Sequence, residues 1–375
     1  MKILLNLATL KKGGGQNVGL NMVKCLISEK YDLSKFSFVV AKGSPIEMEL
    51  KNNEVKEIIS VPKNPLKRMI LELTKGRKII KQFHIDVVYT LFGIGLYPKS
   101  CKQVSGSADS NIFFPEINFW DGYTGLARLK KTIVDKYRIL ALKRVDAVVF
   151  ENEAMLTRSK ELFQLPNTLF SKPSINPDFP EAPLELPSFS SDLKIGLFLC
   201  GWQKNKNYML IPEILSEFKK KEIKFHIVIT APKSEKISYT EFMDKVNSFD
   251  VEDRITVLGP VKKTELRALY QNIDYVFLLS KLESFSNNII ESWFFKKVLV
   301  ISDKEWSNAI CKEGALYVDR DNPLGIVEKI LSIEEDSTKK ASIIAKGDGI
   351  LKTYPSIKEK VDLELNYINS LYESN

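Results

Sequence analysis

The sequence predicts two α/β domains, each a parallel sheet with helices on both sides. Over the first half of the chain, short β-branched runs alternate with longer amphipathic stretches, the pattern of strands joined by helical crossovers. A proline-rich break interrupts that pattern, and the same alternation restarts beyond it. At 375 residues the chain is long enough for two domains of ordinary size, each with its own core.

In the first half, strands are expected at residues 2–8, 36–41, 85–91 and 146–150. Between the first two, Val18, Met22, Val23, Leu26 and Ile27 recur at the spacing of one helix face. Pro173, Pro177, Pro180, Pro183 and Pro187 then fall in a stretch without periodicity. Proline fixes φ and removes a donor, so 173–193 reads as a linker between a first domain, 1–172, and a second, 194–355. In the second domain, strands are expected at 194–200, 224–230, 254–258, 274–279 and 298–302, with a helix at 208–221. Residues 357–372 have apolar side chains at helical spacing. They predict a closing helix, within 356–375, that packs back on the first domain.

Composition narrows the function classes. At 44% apolar, 27% charged and 10% aromatic, the chain reads as a soluble globular protein. No apolar run approaches the roughly 18 residues that span a bilayer. Lys2 precedes a short apolar run as in a signal peptide, but Lys11, Lys12 and three glycines follow with no small-residue cleavage site. The segment is therefore read as a first strand, and the protein is expected in the cytoplasm. Cys25, Cys101, Cys200 and Cys311 form no C-x-x-C pair, which excludes a zinc ribbon or a thioredoxin-like motif. His84 and His226 stand outside any plausible ligand set and read as packing or surface residues.

Three constellations could carry chemistry. Lys11-Lys12-Gly13-Gly14-Gly15-Gln16 lies between the first strand and a helix, where glycines admit a ligand close to the backbone and free amides attract an anion. It is neither a G-x-G-x-x-G fingerprint nor a P-loop, and a plain strand-to-helix turn would read the same. The second follows the strand at 274–279: Ser280-Lys281-Leu282-Glu283-Ser284-Phe285-Ser286-Asn287-Asn288-Ile289-Ile290-Glu291. It belongs at the carboxyl end of a strand, where open parallel sheets bind ligands. Ser286 is expected to cap the helix that follows, turning its first amides toward a diphosphate. Glu283 and Glu291 suit the hydroxyls of a sugar and a ribose, although two acids eight residues apart also describe a solvated surface. The third, Gly201-Trp202-Gln203-Lys204-Asn205-Lys206-Asn207, follows the second domain's first strand. Its lysines could neutralise pyrophosphate or simply form a charged turn.

At these residues the chain resembles the retaining glycosyltransferases of family 4, whose E-x(7)-E signature is matched by Glu283 and Glu291. The region from Val257-Leu-Gly-Pro-Val to Ala315-Leu-Tyr-Val-Asp resembles that family's donor domain. Ser107-Ala-Asp-Ser-Asn-Ile-Phe-Phe-Pro-Glu-Ile-Asn-Phe-Trp120 looks like a subgroup of bacterial polysaccharide glycosyltransferases. The resemblance implies a GT-B fold, two Rossmann-like parallel-sheet domains facing a central cleft, and a nucleotide-diphosphate sugar donor. It implies that Lys206 neutralises the diphosphate, with Lys204 near the place of the family's usual arginine. By the same resemblance, the amides of Phe285, Ser286 and Asn287 hold the phosphates and sugar. Glu283 would bind that sugar as the catalytic carboxylate and Glu291 the ribose. Backbone near Gly259 and Val261 would receive the base, and Gly14 and Gly15 would close on the phosphates. No metal or other cofactor is implied. Ser286 stands where the family usually has glycine, and the first-domain histidine common in the family is absent from Ser105-Gly-Ser-Ala-Asp-Ser-Asn111.

Rival classes share the architecture. A nucleotide-sugar epimerase would be expected to carry further acids and histidines, and a phosphorylase a pyridoxal-binding lysine region in a much larger chain. A periplasmic binding protein would need an export signal. The +8 net charge is concentrated in residues 1–190, where 28 Lys and Arg face 19 Asp and Glu. Lys63, Lys67, Arg68, Lys75, Arg77, Lys78 and Lys81 share one stretch with Leu66, Met69, Ile70, Leu73 and Ile80 at helical spacing. A second basic stretch runs from Leu126 to Arg144. Cations near an anionic membrane contribute on the order of 1 kcal/mol each, so an anionic membrane surface is an expected partner, alongside a glycan or lipid-linked acceptor. The same charges also suit an ordinary solvated face. Nucleic acid is not expected, because no aromatic-interleaved basic module is present.

Overall fold

The computed structural model describes residues 1–375 except Lys12, Ile94, 96–99, Pro166, 176–178 and Asn375, and except the side chains of Pro65 and Leu66. Lys12 and Pro177, both singled out above, therefore lie outside the described residues, as does the Leu66 side chain. The chain divides into two compact units, Met1–Asn176 with Tyr354–Asn375, and Pro177–Thr353.

The first unit runs β1 (Ile3–Asn6), α1 (Gly13–Ser28), β2 (Phe36–Ala41), α2 (Pro45–Asn52), β3 (Ile58–Val61), α3 (Pro65–Gln82), β4 (Val87–Thr90), β5 (Lys102–Ser107), α4 (Gly125–Leu142), β6 (Ala147–Phe150), α5 (Glu153–Phe163) and β7 (Thr168–Phe170). Among the described residues its strands form one parallel sheet in the order β3-β2-β1-β4-β5-β6-β7. Both faces of that sheet are buried. Ile3, Leu5 and Leu7 point into one core with Val23 and Leu26 of α1, whereas Leu4 and Ala8 point into another with Ile79 and Ile80 of α3. Two-sided burial is why β2 reads as the continuous apolar run Phe-Ser-Phe-Val-Val-Ala rather than an alternation.

The strand β5 was not expected from the sequence, because Lys-Gln-Val-Ser-Gly-Ser looks like a loop. Its polar residues are nevertheless buried, and the Ser105 hydroxyl donates to the Gly93 carbonyl. A Cβ at Gly106 would sit 1.7 Å from the Leu91 carbonyl oxygen, so the close approach of neighbouring backbone requires glycine there.

The second unit runs β8 (Lys194–Phe198), α6 (Ile211–Lys220), β9 (Phe225–Ile229), α7 (Lys236–Ser248), β10 (Ile255–Val257), α8 (Leu266–Gln271), β11 (Tyr275–Leu278), α9 (Asn287–Phe294), β12 (Val298–Ser302), α10 (Glu305–Cys311), β13 (Leu316–Val318), α11 (Pro323–Glu334) and α12 (Ser337–Leu351). Its sheet is also parallel, in the order β10-β9-β8-β11-β12-β13. Stacked aromatic pairs hold its core: Phe218 lies on Phe225 at 4.1 Å and Phe198 on Phe277 at 5.0 Å between ring centroids. The helix expected at 208–221 opens with a 3-10 turn over Tyr208–Leu210, and the α-helix starts only at Ile211, followed by Pro212 in the first turn.

The chain then returns to the first unit as α13 (Ile357–Glu373). Ser356 and Glu359 form a capping box at its start, at 3.2 and 2.7 Å. Val361 and Ile368 enter the same core as Leu5 and Tyr89. A buried polar cluster fixes its register: the Tyr89 hydroxyl donates to Glu364 at 2.9 Å and Ser171 to the other oxygen at 2.8 Å. Lys360 pairs with Glu151 and lies 3.5 Å from Glu364. Burial opposes its charge, but the two carboxylates hold the Lys360 ammonium above its ordinary value.

Candidate functional site

In the second unit the strand order reverses between β8 and β11, which lie side by side. Loops leaving the carboxyl ends of two such strands diverge and leave a crevice, the usual ligand position in an open α/β sheet. Here they are the loop through 199–207 and the loop through 279–286, the two second-domain constellations read from the sequence.

The first loop is held by its own aromatic residue. Trp202 is buried against Tyr208 and Phe242, and its indole N–H donates to the Pro232 carbonyl at 2.8 Å. A 3-10 turn over Lys204–Lys206 follows, ending at Asn207 with φ +59°, a left-handed conformation that asparagine tolerates. The Asn207 amide donates to the Arg320 carbonyl at 2.8 Å.

Asn205 zips the two loops together. Its side-chain amide donates to the Leu282 carbonyl at 2.8 Å and accepts from the Leu282 N–H at 3.1 Å, while its own carbonyl accepts from Lys281 N–H at 2.9 Å. This brings Lys206 against Glu283, with Nζ 2.6 Å from Oε1, and the Asn205 amide also reaches that oxygen at 3.3 Å. An ammonium has three donors. The pair is partly exposed, so Lys206 retains donors for an anionic ligand beside the carboxylate. Lys204 is exposed and makes no ion pair among the described residues.

Ser286 occupies the N-cap position of α9 in an extended conformation, but its hydroxyl makes no capping bond. That corrects the expectation of a serine cap. The start of the helix is instead tied down by Asn288, whose amide donates to the Leu199 carbonyl at 3.0 Å. The leading amides of a helix have no intrahelical acceptor, so the Ser286–Asn288 backbone is suited to an anion by geometry and by dipole. Phe285 is half-buried beside it.

Glu291 lies on the buried face of α9 and accepts a hydrogen bond from the Tyr270 hydroxyl at 3.0 Å. Burial raises the carboxyl above its ordinary value, and the Tyr270 bond and the Lys263 charge act the other way. Lys263 belongs to the segment after β10, in which Gly259 has φ +96°. Nothing lies within 4 Å of a Cβ built there, so the demand for glycine at Gly259 is conformational. Val261 is half-buried two residues on. Tyr270 and Lys263 escaped sequence reasoning, and Asn205 stood in the third constellation without a role, since hydrogen-bond partners at irregular separations leave no periodic signal.

Gly14 and Gly15 belong to the first unit. The glycine run is the first turn of α1, beginning at Gly13 with φ +68°, rather than a loop ahead of the helix as expected. A Cβ at Gly13 or Gly14 would meet nothing within 4 Å. Of the histidines, His226 bonds Thr256 at 2.9 Å beneath Phe189, and burial lowers its pKa. Among the described residues, no group of three or more His, Cys, Asp or Glu is placed to hold a metal ion.

Residues 188–348 match the model of the family Glycosyl transferases group 1. No curated protein matches the chain. Among solved structures, a glycosyltransferase from Rickettsia africae ESF-5 is similar at TM-score 0.71 and 17% identity, with 100% of this chain and 99% of that one covered. The sucrose-phosphate synthase of Thermosynechococcus elongatus is similar at TM-score 0.73 and 12% identity, with both chains fully covered. Anabaena HepE, solved in complex with UDP and glucose, is similar at TM-score 0.67 and 14% identity over 99% of this chain and 100% of that one. The likeness to these structures is one of fold, two parallel-sheet domains of the GT-B type. With the domain match, the chain is an enzyme, a glycosyltransferase.

Proposed function

We propose that this glycosyltransferase acts with retention, as in family 4, moving a sugar from a nucleotide-diphosphate donor to a glycan or lipid-linked saccharide. The setting would be assembly of a bacterial surface polysaccharide such as a capsule, O-antigen or lipopolysaccharide. The observation that carries the reading is the Lys206–Glu283 pair at the strand-order reversal, with the start of α9 beside it. Anabaena HepE has been solved with UDP and with UDP-glucose, which supports a donor of that chemical class.

In this reading Lys206 and Lys204 neutralise the diphosphate, and the amides of Phe285, Ser286 and Asn287 take its oxygens. These preorganised donors stabilise the leaving group without a metal ion. Glu283, already fixed by Lys206 and Asn205, binds hydroxyls of the transferred sugar. Glu291, positioned by Tyr270, binds the ribose, and backbone near Gly259 and Val261 receives the base. The bond from the anomeric carbon to the diphosphate breaks while the acceptor oxygen bonds that carbon on the same face. The acceptor proton passes to the departing phosphate oxygen.

The test is incubation with a panel of nucleotide sugars, read as release of nucleoside diphosphate, then determination of the product's anomeric configuration. Release from one donor, with configuration retained in EDTA, is expected. An inverted product, or activity that EDTA abolishes and Mn²⁺ or Mg²⁺ restores, would overturn the mechanism.

A further inference from the structure

The helix α4 is amphipathic in the wrong sense for a core element. Within it only Ala141 and Leu142 are buried. Leu126, Leu129, Ile133, Tyr137 and Leu140 are all exposed, from 39% at Tyr137 to 84% at Leu126. Their separations of three and four residues place them on one stripe down the length of the helix. At 100° per residue, Lys130 flanks that stripe on one side and Lys136 on the other. Both are exposed and neither makes an ion pair among the described residues. The one acid of α4, Asp135, faces away from the stripe, where it accepts from the Trp120 indole at 2.5 Å and pairs with Arg138 at 3.1 Å.

A second helix extends the surface. Arg68 and Glu72 on α3 lie within electrostatic reach of Tyr137 on α4. On α3, Ile70 and Leu73 are more than half exposed, and Lys67, Lys75 and Lys78 are exposed with them. Its one acid, Glu72, is fully buried. The result is an apolar stripe bordered by cations and without an exposed acid on either helix.

We propose that α4, with α3 beside it, docks the first unit on an anionic lipid bilayer. The apolar stripe would lie among the headgroups and the cations would meet lipid phosphates, in the manner of an interfacial amphipathic helix. No helix among the described residues is long and apolar enough to cross a membrane, so the contact is with the surface. Charge argues against a second copy of the chain, because pairing two such stripes sets lysines against lysines with no acid to answer them. The inference is independent of the donor chemistry above.

The experiment is co-sedimentation of the full chain with phosphatidylglycerol–phosphatidylcholine vesicles and with phosphatidylcholine alone, at low and high salt. Expected is binding to the anionic vesicles that weakens with salt. The double variant Leu129→Ser/Ile133→Ser should bind about a hundredfold more weakly, from the apolar area removed. Lys130→Glu/Lys136→Glu should lose the preference for anionic lipid. Unchanged hydrolysis of the nucleotide sugar and unchanged thermal unfolding would show that both variants remain folded. Vesicle binding indifferent to lipid charge, or equal in wild type and both variants, overturns the proposal. A concentration-dependent dimer that the Leu129→Ser/Ile133→Ser variant loses, without vesicle binding by the wild type, assigns the stripe to a second copy instead.

Discussion

Replacing Lys360 by methionine should unfasten the last helix from the first unit. The ammonium is 5% exposed and sits between Glu151 and Glu364. Methionine keeps much of the volume but leaves two carboxylates without their cation. Removing one partner of a buried ion pair costs about 3–5 kcal/mol. Tyr89 and Ser171 still donate to Glu364 in the variant, so the lower end, about 3 kcal/mol, is expected. Hydrogen exchange reads this unit by unit, which a global melt of a two-domain chain does not. Peptides from α13 and β4 should exchange about a hundredfold faster, and those from β8 to β13 should not change. The pH dependence adds a sign. In the native chain the Lys360 pKa is raised, so its contribution is intact below the ordinary lysine value and is lost as pH rises through the folded value, above about pH 10. Unchanged exchange in α13, or acceleration spread equally through β8 to β13, would refute the reasoning.

Lys206→Ala and Glu291→Ala should each weaken donor binding by about 1.5–3 kcal/mol, the worth of a charge-assisted hydrogen bond, read by calorimetry with the nucleotide sugar; wild-type affinity in both would remove them from the site. Glu47 is buried where Ser60, Lys51 and the Gly43 amide hold its pKa down to about 2. A depressed carboxylate stabilises above its unfolded value and loses that contribution as pH falls through the folded one. Glu47→Gln should therefore cost up to about 3 kcal/mol at pH 7 and little near pH 2, followed by denaturant titration across that window. Gly106→Ala should destabilise the first unit by roughly 1–3 kcal/mol, because the new methyl meets the Leu91 carbonyl, and a native-like urea midpoint would contradict that.

Apart from the edge strand β10, the strands that sequence reasoning found are those whose burial on two faces favours apolar runs, as in Tyr-Val-Phe-Leu of β11 and Val-Leu-Val-Ile-Ser of β12. Those it missed have other reasons to be strands. The edge strands β3, β7 and β13 are short and partly exposed, and β5 meets its neighbours through serine and glycine. In the candidate site, Lys206 and Glu283 could be singled out because charged residues in loops after strands stand out, and Glu291 because it follows Glu283 by eight residues. Their meeting was not legible: the 2.6 Å contact of Lys206 with Glu283 depends on Asn205 joining loops 77 residues apart. Likewise, the partner of Glu291 is a tyrosine on α8 at an uninformative spacing.

Because Val361 and Ile368 fill the core of the first unit, that unit is interrupted in sequence by the whole of the second. On the ribosome the first sheet must therefore wait with part of its core open while residues 177–353 are synthesised. At 5–20 residues per second that delay is roughly 10–35 s. The second unit, contiguous in the chain, has all its own residues before the first is complete. A nonsense mutation just after residue 353 would thus injure the amino-terminal domain and spare the one nearest to it in sequence.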